Sequence, residues 1–237
     1  MNKKILNILI LLAVCVTAVT SCTKDSKGVS FMTTYADMTM NGPSTLFWEL
    51  GEAFVDPGCE AKEGETDLTS QIAAKSNVDA TKGGIYNITY SVNNSDGYPA
   101  SVSRTVIVYE KSAPLNGYYD SKIDRDNAGV KSSRGPFSVL VFGVGNNEYH
   151  IQDLLGRWYD LGNSYGPAYA GPGVIKLKGD NTFEIVSAEP LAWGYPCLFT
   201  DVSTYTPATK TLVLHTRMED VATMLFKVTL NNPSPIE

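Results

Sequence analysis

The sequence predicts an all-β protein with two domains, an N-terminal β-sandwich and a second antiparallel β-domain. Short runs rich in β-branched and aromatic residues recur along the chain, such as YNITYSV at 86–92 and FSVLVFGV at 137–144. Turn sequences such as DPG, KGG, SDG and KGDN separate these runs. Only residues 70–74 suggest a helical period. Short strands at regular spacing are typical of sandwiches and barrels.

The N-terminal residues predict export. Two lysines precede an apolar run over residues 5–19, which at about 15 residues is shorter than the roughly 20 that a membrane span needs. Small residues then lead directly into Cys22, a pattern that resembles the lipobox of bacterial lipoproteins. The resemblance implies cleavage after residues 1–21 and acylation of Cys22, with residues 22–30 as a flexible tether. A plain signal peptide or an uncleaved anchor is the alternative.

Composition restricts the function further. The chain has 237 residues, a formal net charge of −6 and no basic stripe, which argues against nucleic acid as a partner. A hydrophobic content of 43% argues against disorder. We therefore expect a folded protein of the cell envelope, lipid-anchored to the outer membrane. The residues after Cys22 fit a surface-export signal only loosely, so the periplasmic and the surface face both stay open.

The first domain is expected at residues 31–111. In the strand near residue 88, alternate residues share one face because successive strand side chains point to opposite sides. Several spaced motifs here resemble the bacterial surface Ig-like module. The resemblance implies a β-sandwich of about seven strands, used as a spacer or adhesion module and without catalytic residues. The motifs are LGE at 50–52, DPG at 56–58, Tyr86 with Tyr90, and RTV at 104–106.

The second domain is expected at residues 112–237. Its runs suggest about eight strands, arranged as a sandwich or as an up-and-down barrel. KGDN at 178–181 predicts a hairpin, and in the final strand Met224, Phe226, Val228 and Leu230 point to one side. GYY at 117–119 resembles the start of lipocalin-like barrels. The whole chain resembles two-domain lipoproteins of Bacteroidetes, and that resemblance brings no assigned activity.

Cysteines and histidines give no metal or cofactor signal. Beyond the N-terminal segment only Cys59 and Cys197 remain, and we expect two buried free thiols rather than a disulfide. Neither has the spacing of a zinc site. His150 and His215 lie in strand-like runs, where a structural role is expected. DRDNAG at 124–129 lacks the later ligands of a calcium loop and is interpreted as an acidic turn.

Aromatic residues on glycine-rich loops are the main candidates for binding. Flat rings can stack on the C–H faces of sugars, which predicts a carbohydrate or other ligand cleft. The alternative, which we favour because large aromatics dominate core burial, is that Trp158 and Trp193 plug the barrel ends and the tyrosines cover its rim. The candidate ligand-binding residues are Trp158, Tyr159, Tyr165, Tyr169, Trp193 and Tyr195.

These observations lead to a ranked set of functions. The first is a non-enzymatic, lipid-anchored envelope protein whose Ig-like spacer presents a β-domain that binds a glycan or a protein partner. The second is a structural subunit of an envelope assembly without a small ligand. A glycan hydrolase is the third, because carboxylates are frequent and two of them, at a separation that sequence does not give, could act together. No common catalytic motif occurs.

Overall fold

A computed structural model describes residues 32–236. The predicted signal peptide, the lipidation site Cys22 and the tether at 22–30 lie outside the described residues. Within the described part, no helix has the length and apolar character needed to cross a membrane.

The first domain is a β-sandwich of seven strands, as predicted. One sheet has the order β1-β3-β4 and the other the order β2-β7-β6-β5, with β2 parallel to β7. Buried side chains from both sheets meet between them, including Cys59, Tyr90 and Val106. The strands are β1 Asp37–Met40, β2 Thr45–Glu49, β3 Cys59–Glu63, β4 Thr66–Asp67, β5 Ala73–Ser76, β6 Gly84–Asn93 and β7 Pro99–Tyr109.

The helical period near residues 70–74 produces very little helix. A short 3-10 helix spans Thr69–Gln71, and the backbone is already extended in β5. The Asp67 side chain accepts a hydrogen bond from the backbone N–H of Thr69 at 2.8 Å, which sets the turn before the helix.

The second domain is one antiparallel sheet that curls into a nearly closed up-and-down barrel. A backbone bridge between Thr182 and Thr204 joins its first and last strands. A 3-10 helix at Pro167–Tyr169 lies in a loop. The strands are β8 Gly117–Asn127, β9 Val130–Gly145, β10 Glu148–Ile151, β11 Gly173–Leu177, β12 Phe183–Ala188, β13 Cys197–Phe199, β14 Thr204–Thr206, β15 Thr211–Met218 and β16 Met224–Ser234.

Alternating side chains fill the barrel. In β16 the residues Phe226, Val228 and Leu230 are buried while Leu225 and Lys227 are exposed, which confirms the predicted facing of this strand. The predicted hairpin at 178–181 connects β11 and β12. The barrel therefore has a single apolar interior with two open ends for loops to cover.

The two domains pack directly on each other. Ile107 of β7 is buried with Leu140 and Phe142 on the outer face of β9. Gly83 lies so close to Val144 that an added Cβ would be 2.4 Å from the Val144 Cα, so only glycine fits there. This contact holds the barrel against the edge of the sandwich.

Candidate functional site

Two long loops leave the barrel at the same end. Gly173, at the start of β11, is the Cα partner of Ile151 at the end of β10 and of Ala188 at the end of β12. The loop at 152–172 and the loop at 189–196 therefore begin side by side. The N–H of Ala192 donates to the carbonyl of Ala168 at 2.9 Å and ties them together.

These loops bring four aromatic rings into mutual contact, and we call this cluster the aromatic patch. Its members are Tyr159, Tyr165, Tyr169 and Trp193. The Trp193 ring centroid lies 4.7 Å from that of Tyr169, 4.9 Å from that of Tyr159 and 6.1 Å from that of Tyr165. Most of these contacts are edge-to-face, the geometry that the ring quadrupole favours.

Exposure divides the patch into an outer and an inner layer. Tyr165 is 52% exposed and Trp193 is 41% exposed, while Tyr169 is partly buried and Tyr159 is only 5% exposed. Tyr165 stacks on Tyr159 with 6.3 Å between ring centroids and an interplanar angle of 16°. The inner rings thus support the two outer rings, which present apolar faces to solvent.

The predicted set of six residues is only partly brought together. Tyr195 follows Trp193 in the same loop but packs, half-buried, against the barrel core and lies outside the aromatic patch. Trp158 is 1% exposed, with its ring centroid 5.7 Å from that of Phe226 in the barrel interior.

Two of the proposed ligand-facing rings are therefore corrected. Trp158 and Tyr159 are core residues because the start of the loop at 152–172 folds back into the barrel end. Gly156 permits this close approach, since an added Cβ would lie 2.8 Å from side-chain carbons of both Ile123 and Val228. Trp158 fits the alternative reading as a plug, whereas Trp193 does not.

A buried carboxylate organises the loop that carries the patch. Asp153 is fully buried and accepts hydrogen bonds from the backbone N–H groups of Leu155 at 2.8 Å, Arg157 at 2.7 Å and Gly171 at 3.1 Å. Burial raises the Asp153 pKa to about 6, and the three N–H donors oppose that shift. Asp153 thus fixes both ends of the loop.

An ion pair fixes the middle of the same loop. Asp160 is buried and accepts from Arg157 through Nε at 2.8 Å and Nη2 at 2.7 Å. The N–H of Gly166 donates to the carbonyl of Asp160, which positions the neighbouring Tyr165. Sequence reasoning did not assign these bracing roles. The spacing of an arginine and an aspartate three residues apart was the one available signal.

Other chemistry is limited within residues 32–236. No group of three histidine, cysteine or acidic residues there could hold a metal ion. Cys59 and Cys197 are buried free thiols, as predicted. His150 stacks on Phe142 with 4.8 Å between ring centroids, next to the domain contact, and burial lowers its pKa to about 4.

Comparisons with known proteins agree with this architecture. The family model for the bacterial surface protein, Ig-like domain, matches residues 38–108. A family model of a C-terminal domain matches residues 108–232, more than half of the chain. No curated protein matches the sequence.

Among solved structures, the lipoprotein BT2262 from Bacteroides thetaiotaomicron is similar over 83% of this chain and 100% of its own, with 27% identity and a TM-score of 0.65. A structure of Clostridium perfringens ZmpB with its CBM51-2 and INT domains aligns with 83% of this chain and 44% of its own at 16% identity. Its TM-score of 0.28 is too low to support an argument.

The similarity to a lipoprotein and to a bacterial surface domain indicates the cell envelope as the location of this protein. The chain belongs to the family of two-domain lipoproteins in which a bacterial surface Ig-like domain precedes this C-terminal β-domain.

Proposed function

We propose that this protein is a non-enzymatic, lipid-anchored receptor of the outer membrane that binds a glycan at the aromatic patch. The Ig-like domain would hold the barrel away from the membrane. The observation that supports the proposal most directly is the pair of outer rings, Tyr165 and Trp193, which are half exposed although their partners Tyr159 and Tyr169 hold them in place.

The geometry suits stacking on a sugar. A pyranose presents C–H groups on one face, and an aromatic ring that is already fixed loses little conformational entropy when it binds that face. Edge-to-face contacts leave one ring of each pair turned outward, so the patch offers surfaces in more than one orientation. Apolar surface of this kind on a loop cluster commonly marks a binding site.

Binding without chemistry is proposed because the patch supplies stacking surface and hydrogen-bonding hydroxyls, and its phenol groups are poor acids and bases at neutral pH. The proposed anchor is Cys22, on the strength of the sequence around it and of the similarity to a lipoprotein. Labelling cells with a fatty-acid analogue tests the anchor: wild type should be labelled, and a labelled Cys22→Ala variant would contradict it.

Tryptophan fluorescence offers a direct test of the glycan site. Of the three tryptophans, Trp158 is fully buried and Trp48 lies partly buried in the sandwich, so Trp193 is the reporter exposed at the patch. We expect a saturable change when the mature chain, kept soluble by Cys22→Ser, is titrated with polysaccharides. Tyr165→Ala should weaken binding roughly tenfold, since an aromatic contact of this kind contributes about 1 kcal/mol.

The matched control is Tyr98→Ala, because Tyr98 is 50% exposed in the sandwich and also contacts another tyrosine, Tyr35. This variant should bind as wild type does. Binding that Tyr165→Ala leaves unchanged, or the absence of any saturable response across host and plant polysaccharides, would overturn the proposal. Copurification of another envelope protein in that case would favour the assembly subunit.

A further inference from the structure

Two arginines lie over the ring of the buried Trp158. The guanidinium carbon of Arg125 is 4.7 Å from the ring centroid, and that of Arg134 is 4.6 Å from it. The six ion pairs formed among residues 32–236 include neither arginine. Both side chains are permanently protonated, so two like charges are placed against one indole.

Four polar groups at this position lack a hydrogen-bond partner among the described residues. They are buried, and three of the four can only donate a hydrogen bond. Unsatisfied buried donors are rare and cost free energy, and each one calls for an explanation such as a bound ion or water. The atoms are Arg125 Nε, Ser132 Oγ, Arg134 Nη1 and Trp158 Nε1.

The strand register explains why these groups converge. Ser132 is the Cα partner of Arg125, and Arg134 is the partner of the fully buried Ile123. Side chains alternate along a strand, so Arg125 and Ile123 share the inner face. All three polar residues therefore line the inside of the β8–β9 hairpin where Trp158 closes the barrel.

Nearby carboxylates do not compensate the two charges. Asp124 and Asp126 occupy the alternate, outer positions of β8. Asp124 accepts a hydrogen bond from Ser133 Oγ at 2.6 Å, and Asp126 accepts from the N–H of Gly129 at 2.7 Å. The inner face thus keeps an excess of positive charge in a chain whose formal net charge is −6.

The charged groups adjoin the aromatic patch. Trp158 and Tyr159 both contact Phe226, with ring centroids 5.7 and 6.1 Å apart, and Tyr159 contacts Trp193. Burial raises the pKa of Tyr159, and the charge of Arg125 opposes that shift, which places the guanidinium close to the phenol. A ligand on the patch would lie within reach of this charge.

We infer that Arg125, Ser132 and Arg134 bind a carboxylate of the ligand, so that the glycan of the proposed function, on which this inference rests, is an acidic one built from uronic acids. A guanidinium presents parallel N–H donors that match the two oxygens of a carboxylate. The bound anion would satisfy the unpartnered donors and neutralise the repulsion between the arginines. A buried water could satisfy the donors but would leave the charge.

The test compares two polymers that differ only in charge, polygalacturonate and its fully methyl-esterified form. The mature chain with Cys22→Ser is titrated with each while Trp193 fluorescence is followed. We expect the acid form to bind at least about tenfold more tightly, because hydrogen bonds to charged groups contribute about 1.5–3 kcal/mol. Raising the ionic strength should weaken only the acid form.

Variants locate the effect. Arg125→Gln and Arg134→Gln should each remove most of the preference for the acid form. Lys122→Gln is the matched control, since it deletes one positive charge from the same strand at an exposed outer position and should change nothing. Arg125→Lys keeps the charge and should keep part of the preference. Thermal unfolding of each variant confirms that it is folded.

The outcomes separate the two proposals. Equal binding of both polymers, lost in Tyr165→Ala but kept in the arginine variants, would overturn the acidic site and leave glycan binding intact. A preference for the acid form that Tyr165→Ala leaves unchanged would support the anion site and overturn the role of the patch. Binding of neither polymer would overturn the acidic site as well.

Discussion

Each domain places an arginine over an aromatic ring, and the two arrangements differ in how the charge is compensated. In the sandwich, the fully buried Arg104 lies 5.9 Å from the ring centroid of Tyr90. It donates to the carbonyls of Asn41 at 2.7 Å and Gly58 at 3.3 Å and forms an ion pair with Asp56 at 3.7 Å. In the barrel, no described residue does the same for Arg125 or Arg134.

The contrast separates a structural cation from one that is available to a ligand. Two nitrogens of Arg104 also make no hydrogen bond, so unpartnered atoms alone do not identify a binding site. The Tyr90 hydroxyl donates to Asp56, which closes a network of three side chains inside the sandwich. Compensation of the whole charge by the protein itself is what the barrel arginines lack.

The largest predicted effect is on the compensated arginine. Arg104→Met should lower the free energy of unfolding of the sandwich by about 4 kcal/mol, because it leaves Asp56 and two carbonyls without their donor. Urea unfolding followed by Trp48 fluorescence measures this loss. A cost under about 1 kcal/mol would show that the network does not stabilise the domain, and the comparison would lose its structural half.

A neutral unpartnered group gives the second prediction. His150 Nδ1 is buried without a hydrogen-bond partner, and burial lowers the pKa of this side chain to about 4, below its ordinary value near 6.5. The unfolded chain therefore takes up a proton below pH 6.5 that the folded protein refuses until about pH 4. The stability from neutral His150 is complete above pH 6.5 and falls by about 3 kcal/mol by pH 4.

His150→Gln should remove this part of the acid sensitivity. The measurement is the difference in free energy of unfolding between wild type and variant at several pH values from 7 to 4. Arg157, Asp160 and Glu189 line the same cleft and are common to both proteins, so their titration largely cancels. His215→Gln is the control, and an equal change in both variants would assign the effect to histidine content rather than to burial at the domain contact.

Sequence patterns predicted the sandwich and the strand content of the barrel because alternation and turn residues act locally. They could not predict the Arg104 network, since Asp56 and Arg104 lie far apart in the chain and meet only across the two sheets. Family resemblance marked both positions without saying that they touch. The register of the sandwich, rather than any local preference, creates that contact.

The candidate site was predicted in part. Tyr165, Tyr169 and Trp193 lie together because their loops start from neighbouring strands, which the order of strands in the barrel determines. Trp158 was wrong as a ligand platform because glycine-rich sequence lets a loop fold inward as readily as outward.

The barrel arginines were missed for a different reason. Arg125 follows Ile123 by two positions, so an arginine on an inward strand face was visible in the sequence. The run DRDNAG was interpreted as an acidic turn, although the strand continues to Asn127. Pairing Arg125 with Ser132, and Arg134 with Ile123, required the register between β8 and β9.

The smallest predicted effect is on the uncompensated arginine. Arg125→Met should change the free energy of unfolding of the barrel by no more than about 1 kcal/mol, since only a contact with the Trp158 ring is lost. Added salt should stabilise wild type slightly by screening the repulsion between Arg125 and Arg134, and this increment should vanish in the variant. Urea unfolding at low and high ionic strength measures both effects. If Arg125→Met costs as much as Arg104→Met, the charge of Arg125 is compensated within the protein, and the distinction between a structural and a ligand-binding arginine fails.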